Sequence, residues 1–204
     1  MPARILILFA HPSQHRSEVN RPLLEASRQA EAVTAVDLYA KYPDYCIDID
    51  REQQRLRDHD VIVFMFPLYW YSTPAILKKW QDLVLEYGFA CGQDGRELEG
   101  KQLLCAITAG GVEDAYRSKG YNHYSIRDLP RPIEQTATLC GMHYLPLYAL
   151  FGARTAVDDG RIGGHIDNWK CVLDGLHRRR IDPALADTAD KLNDYLERTA
   201  GDSR

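Results

Sequence analysis

Five stretches of the chain are apolar enough, and short enough, to form β-strands. "ILILFA" (residues 5–10) and "VIVFMF" (61–66) are unbroken apolar runs rich in β-branched and aromatic side chains, the pattern of strands buried on both faces. "LLCAIT" (103–108) and "HYLPLYAL" (143–150) have the same character, and "VTAVDLY" (33–39) is a weaker fifth. Between them the apolar spacing lengthens to that of a helix at 19–32, 74–87 and 132–140. The second of these helices carries Leu77, Trp80, Val84 and Tyr87 on one stripe, Ser72 or Thr73 as N-cap, Pro74 first and Gly88 just past its end. Pro132 and Gly141 frame the third in the same way. Residues 152–164, "GARTAVDDGRIGG", are Gly-rich and polar and predict a loop, with helices following at 166–180 and 184–198. The order β-α-β-β-α-β-α-β-α predicts one α/β domain over residues 1–204, a doubly wound open sheet of five parallel strands with helices on both faces. Ligands of such sheets bind at the carboxyl ends of the strands.

Composition fits that picture and narrows the partners. A chain of 204 residues, 45% hydrophobic, supports one large core without disulfides or metals. Its formal net charge of -4 provides no attractive field for nucleic acid or an anionic membrane, so a small molecule or a protein is the expected partner. Five cysteines, an odd count with no C-x-x-C, predict a reducing, cytoplasmic setting. The apolar run Ile5–Ala10 is too short for a signal peptide, and the run from Val61 to Tyr71 is interrupted by Pro67, so no membrane span is expected.

The predicted strand ends bring three segments together. In "HPSQHRSEVN" (11–20), Ser17 to Asn20 stand at a strand-to-helix turn, where free amides and the positive helix end favour a phosphate; plain capping by Ser17 is the alternative. His11 and His15 lack a third ligand nearby, and Pro12 opposes helical spacing, so no metal is expected. In "PLYWYS" (67–72), Tyr69, Trp70 and Tyr71 follow Pro67 and Leu68 beyond a buried strand, a surface suited to a planar heteroaromatic ligand or else to a cluster under the next helix. In "TAGGVEDAY" (108–116), Gly110 and Gly111 allow backbone to approach a flat ring, or form a simple turn. Anion site, aromatic platform and Gly-Gly wall at one sheet edge together describe a flavin mononucleotide pocket. The loop at 11–20 has neither G-x-G-x-x-G nor G-x-x-x-x-G-K, and no G-x-S-x-G occurs anywhere, which argues against Rossmann-type NAD binding, nucleoside triphosphate hydrolysis and α/β-hydrolase chemistry.

"AHP" (10–12) with "SEVN" (17–20), "LYAKYPDYCIDIDREQ" (38–53), "PLYWYSTPAILKKWQD" (67–82), "LEGK" (98–101) and "TAGG" (108–111) resemble the flavodoxin-like NAD(P)H:quinone oxidoreductases of the DT-diaphorase type. Within these the likeness is greatest to the ancillary proteins of the glutathione-gated Kef potassium-efflux systems, and it runs over roughly residues 4–150. The resemblance implies non-covalent flavin, a homodimer with the substrate cleft between subunits, and two-electron transfer by hydride from NAD(P)H to a quinone or similar acceptor. By motif position, flavin contacts fall on His11, on Ser17, Glu18, Val19 and Asn20, on Pro67, Leu68, Tyr69, Trp70 and Tyr71, and on Thr108, Ala109, Gly110 and Gly111. Tyr116 falls where the quinone reductases carry a Tyr beside the flavin carbonyl. Two positions depart from the pattern: Ala109 replaces the second Thr of T-T-G-G, and the reductases' active-site His falls on Asn122, with His123 one place later.

FMN is expected rather than FAD, because one phosphate site and no adenine pocket are legible. Catalysis needs donors at the pyrimidine edge of the ring, for which Tyr116 and the amides of Gly110 and Gly111 are the candidates, with His123 or Asn122 relaying a proton. The apolar stripe around Trp80 exceeds what one sheet face needs, which also predicts a homodimer. From a different class, the chain is a regulatory subunit of a membrane potassium/proton antiporter, held peripherally at the inner membrane by that partner, with flavin as a structural or sensing ligand. A flavin-free binding module is the third possibility.

Overall fold

The computed structural model describes residues 1–182 and 189–201. Parallel strands β1 (Ile5–Phe9), β2 (Val33–Asp37), β3 (Val61–Pro67) and β4 (Gln102–Thr108), with a fifth strand in two pieces, β5 (His143–Tyr144) and β6 (Tyr148–Leu150), form one sheet in the order 2-1-3-4-5. The helices are α1 (Asn20–Arg28), α2 (Leu38–Lys41), α3 (Ile49–Asp58), α4 (Ala75–Val84), α5 (Arg131–Leu139), α6 (Arg161–His177) and α7 (Leu192–Gly201). Alternate residues of each strand point to opposite faces. Leu6 and Leu8 therefore join a core with Leu56 of α3, Trp80 of α4 and Ile133 of α5. Ile5, Ile7 and Phe9 face Leu23 and Leu24 of α1 and Trp169 and Leu173 of α6.

The fifth strand is broken because Leu103 pairs with Tyr144 and Ala106 with Tyr148, leaving one extra residue on the outer strand. Pro146 lies in that bulge, where its missing N–H removes no ladder bond. The free edge of β6 is covered rather than exposed. Asn193 accepts from the Ala149 amide at 2.9 Å and donates to its carbonyl at 3.1 Å, and Leu192 N donates to Leu147 O at 2.8 Å.

Several expected boundaries move. α3, absent from the expected order, supplies the helical crossover that joins β2 to β3 in parallel. Its sequence "IDREQQRLRD" has almost no apolar stripe, so the hydrophobic pattern misses it. Asp48 caps it by accepting from Arg51 N, and its buried face is mostly polar, Glu52 and Gln53 beside Leu56. The Glu52 carboxylate, fully buried, accepts from Trp80 Nε1 at 3.0 Å and Tyr42 OH at 2.6 Å and pairs with Arg55. Gln53 donates to Val84 O at 3.1 Å and Glu86 Oε2 at 2.8 Å.

α6 begins at Arg161, inside the stretch expected to be a loop, with Gly163 and Gly164 in its first turns. The last expected helix, 184–198, falls partly outside the described residues, and α7 starts at Leu192. α4 ends at Val84, so Tyr87 leaves the stripe and is 78% exposed, and neither Ser72 nor Thr73 caps the helix.

Trp80 corrects a premise of the dimer argument. It is fully buried, edge-on to Phe64 at 5.8 Å, and belongs to the core of its own chain. Ile76, Leu77, Trp80 and Val84 are all consumed by the sheet and the neighbouring helices, so the stripe has no surplus for a partner.

Two measurements follow from this packing. Glu52→Ala strips the partner from half-buried Arg55 and from buried Tyr42 and Trp80, and should lower unfolding free energy by about 3–5 kcal/mol in urea denaturation. His165 is buried with Nε2 unpartnered and its ring stacked on Tyr148 at 4.6 Å; burial, with Arg161 adding to it, lowers its pKa to about 4. The unfolded chain therefore takes up this proton first, so the contribution is complete above pH 6.5 and is lost as pH falls toward about 4, up to about 3 kcal/mol. Unfolding curves from pH 7 to 4 should show this loss, and His165→Phe should reduce it.

Candidate functional site

The carboxyl ends of β1, β3 and β4 release their loops side by side, as the winding requires. In the first loop His11 is 5% exposed; its Nδ1 accepts from Ser13 N at 3.1 Å, and burial lowers its pKa, so the ring is neutral near pH 7. Its Nε2 faces Tyr69 OH at 3.4 Å, which links the first loop to the second. Ser17 Oγ accepts from Asn20 N at 2.8 Å and from Asn20 Nδ2 at 3.1 Å, closing the turn that leads into α1, whose own N-cap Val19 makes no side-chain cap bond. Asn20 Oδ1 accepts from Thr108 Oγ1 at 3.1 Å, so the loop is tied across to the end of β4. Val19 is buried against Leu150 and Ala156, while Glu18 points to solvent.

The second loop is a tight turn in which Ser72 N donates to Tyr69 O at 3.1 Å. Its central residues, Trp70 and Tyr71, have φ of 50° and 64°. Two left-handed residues make a hairpin-type turn that Asn and Gly fill without strain, and bulky side chains there cost on the order of 1–3 kcal/mol each. The arrangement directs the rings outward: Trp70 is 92% exposed, Tyr69 50% and Tyr71 47%. Leu68 is buried, and its N donates to Thr108 O at 2.8 Å. The aromatic trio is therefore not a cluster beneath α4. A cleft of about 450 Å³ opens beside it between α4 and α5, bounded by Leu68, Tyr71, Gln81, Leu85 and Ile133.

In the third loop Ala109 is buried, and Gly110 and Gly111 form the wall. A Cβ on Gly111 would stand 3.2 Å from the Tyr116 ring, so Tyr116 closes down on this glycine. Tyr116 is 9% exposed and packs on Phe151 at 5.5 Å; burial raises its pKa, and the hydroxyl keeps its proton at neutral pH. Of the two relay candidates, Asn122 accepts from Tyr71 OH at 3.1 Å, whereas His123 is exposed with φ of 61°.

Arg154 enters from a fourth loop, the one after β6, which composition predicts only as a polar connection. Its Nε lies 3.5 Å from where a Cβ on Gly110 would stand. The rule that every strand's carboxyl end faces the ligand was the one signal that pointed to it. Among the described residues no group of three or more His, Cys, Asp or Glu side chains is arranged to hold a metal ion.

The exposure and backbone of Trp70 yield a test independent of any ligand. Trp70→Gly relieves the left-handed backbone without vacating a packed site, and should stabilise the apoprotein by up to about 1 kcal/mol in urea unfolding. A loss of several kcal/mol would show that the indole is a packing residue.

The flavodoxin-like fold family model matches residues 3–171. The glutathione-regulated potassium-efflux system ancillary protein KefG of Cronobacter sakazakii is 52% identical over 152 residues, 74% of this chain and 83% of that protein. Among solved structures, general stress protein 14 of Treponema denticola in complex with FMN superposes with a TM-score of 0.80 at 34% identity, covering 85% of this chain and 99% of that one. An NADPH-quinone reductase from P. pentosaceus superposes with a TM-score of 0.75 at 30% identity, covering 83% and 97%. A matched fold model across most of its length and a relative at half identity make this chain a member of the flavodoxin-like fold family.

Proposed function

We propose that the protein is an FMN-dependent NAD(P)H oxidoreductase that delivers two electrons to a quinone or similar acceptor. The observation that carries this reading is the strained, outward-facing Trp70–Tyr71 turn beside the Gly110–Gly111 wall, because strain of this kind persists where the exposed rings serve a ligand. The residues present fit the group. Gly110 and Gly111 leave backbone open to a flat ring, and the start of α1, preceded by Ser17, suits one phosphate. The FMN complex of the Treponema denticola relative and the name of the P. pentosaceus reductase support the same reading.

Bound FMN would accept a hydride from NAD(P)H and hand it on. The chain's own residues bind and orient the reactants. Trp70 and Tyr71 offer aromatic faces, and the Gly110 and Gly111 amides are donors placed in advance. Tyr116, protonated at neutral pH, can donate a hydrogen bond beside Gly111. His11, held by the Ser13 amide, stays neutral and orients Tyr69. Tyr71 OH and Asn122 form the hydrogen-bonded pair at the mouth, with His123 exposed beside them.

The likeness to KefG favours a second reading, a regulatory subunit of a potassium/proton antiporter. The stretch of that likeness presents Asp44, Cys46, Asp48 and Asp50 to solvent, a surface a partner could engage. Among the described residues no helix is long and apolar enough to cross a membrane, so attachment there would go through the partner. A homodimer remains part of the proposal on different grounds from the Trp80 stripe. Exposed Trp70, Tyr121, Tyr124 and Leu139 are side chains a second copy would cover.

Heat release and chromatography of the bound flavin should yield FMN; predominant FAD would overturn the FMN assignment. Trp70→Ala should weaken FMN binding by about five- to two-hundred-fold, roughly 1–3 kcal/mol, in fluorescence-quenching titrations. Rapid NAD(P)H-dependent quinone turnover by the isolated protein supports the enzyme, and its absence with flavin bound favours the subunit reading.

A further inference from the structure

We propose that Arg154 is the cation that offsets negative charge at the Gly110–Gly111 wall and thereby raises the redox potential of the flavin bound there. The inference rests on the flavin reading above and adds a residue to it.

Backbone bonds hold Arg154 to the wall. Ala109 N donates to Leu150 O at 2.8 Å, Gly152 N to Gly111 O at 2.8 Å, and Ala153 N to Ala109 O at 3.0 Å, so the loop carrying Arg154 is fastened to the loop carrying the glycines. From the other side, Arg161 donates to Phe151 O at 2.8 Å and to Gly152 O at 2.9 Å. A loop clamped at residues 150–153 leaves the Arg154 side chain against Gly110, with Nε 3.5 Å from the position of an added Cβ.

Its charge is uncommitted. Among the described residues Arg154 makes no ion pair or side-chain hydrogen bond. Of the carboxylates on neighbouring segments, Glu113 pairs with Lys191 at 2.6 Å and Asp159 with Arg161 at 3.1 Å. The other polar groups lining the wall are neutral near pH 7. Tyr116 is held protonated and His11 deprotonated by burial, and Asn122 carries no charge. A guanidinium stays charged at any working pH. Two electrons and one proton added to an isoalloxazine leave it with one negative charge. A cation fixed beside the ring before that charge appears stabilises the reduced form over the oxidised one.

The test compares Arg154→Gln and Arg154→Lys with the unsubstituted protein, all loaded with FMN. Oxidised FMN should bind all three with dissociation constants within about threefold. The Gln variant should favour the reduced form about tenfold less, a two-electron potential lower by about 30 mV in spectroelectrochemical titration. The Lys variant should recover most of that difference, and thermal unfolding of the apoproteins should be unchanged. A Gln variant with unaltered potential overturns the proposal while leaving the flavin reading intact. A Gln variant that loses oxidised FMN as strongly as reduced FMN also overturns it, because Arg154 would then be a general binding contact. Failure of the unsubstituted protein to bind FMN overturns both readings together.

Discussion

Thr108 joins the three loops of the candidate site. Its side chain donates to Asn20 and so fixes the start of α1, while its carbonyl accepts from Leu68 and fixes the entry to the aromatic turn. The residue is 4% exposed, and each of these bonds is made at the boundary between core and cleft. Hydrogen bonds shielded from water fix geometry more firmly than exposed ones, because a broken bond leaves a buried polar atom unpaired. The Tyr69–Trp70–Tyr71 turn can therefore hold its left-handed backbone: Leu68 is anchored before it and Pro74 begins the approach to α4 after it. The resemblance had implied Thr108 as a ligand contact. Its observed partners give it a structural task, aligning the start of α1 with the aromatic turn.

The site edge is also supported from behind. Lys191, just before α7, reaches Glu113 at 2.6 Å and Asp194 at 2.8 Å, which places the C-terminal segment against the short turn leading into Tyr116. Asn193 at the same time satisfies both backbone groups of Ala149. One segment thus closes the open sheet edge and braces a site loop. The family match ends at residue 171, so this bracing is built from sequence outside it.

What the sequence disclosed depends on which forces shaped each element. Strands buried on two faces announce themselves as apolar runs, and β1, β3 and β4 lie where those runs predict. With them came the topology and the convergence of three loops at one edge. α3 was illegible because its contact with α4 is made by Glu52 and Gln53, residues that read as solvent-facing in any hydrophobic pattern. The start of α6 was hidden by glycines, since composition cannot distinguish a flexible loop from a helix whose first turn needs no side chains. The burial of Trp80 is not legible because its indole N–H meets the buried Glu52 carboxylate, a partner no apolar pattern reveals. At the site, the aromatic turn was legible and its backbone strain was not: left-handed φ at Trp70 and Tyr71 contradicts local propensity and is imposed by the anchored ends. Arg154 was missed because its importance lies in proximity to Gly110, forty-odd residues away along the chain.

The buried carboxylate of Glu52 has a bearing on how such a protein can evolve. An apolar contact tolerates drift, since one aliphatic side chain can replace another with small loss. Glu52 is instead shared by Tyr42, Arg55 and Trp80, which belong to three separate segments of the chain. Changing any one of them strands the others, so single steps away from the set pass through a poorly folded intermediate. The four positions should therefore be inherited as a block. Where a descendant has lost Glu52, its Tyr42, Arg55 and Trp80 counterparts should have been exchanged with it, leaving a co-varying signature that lies well away from the ligand edge.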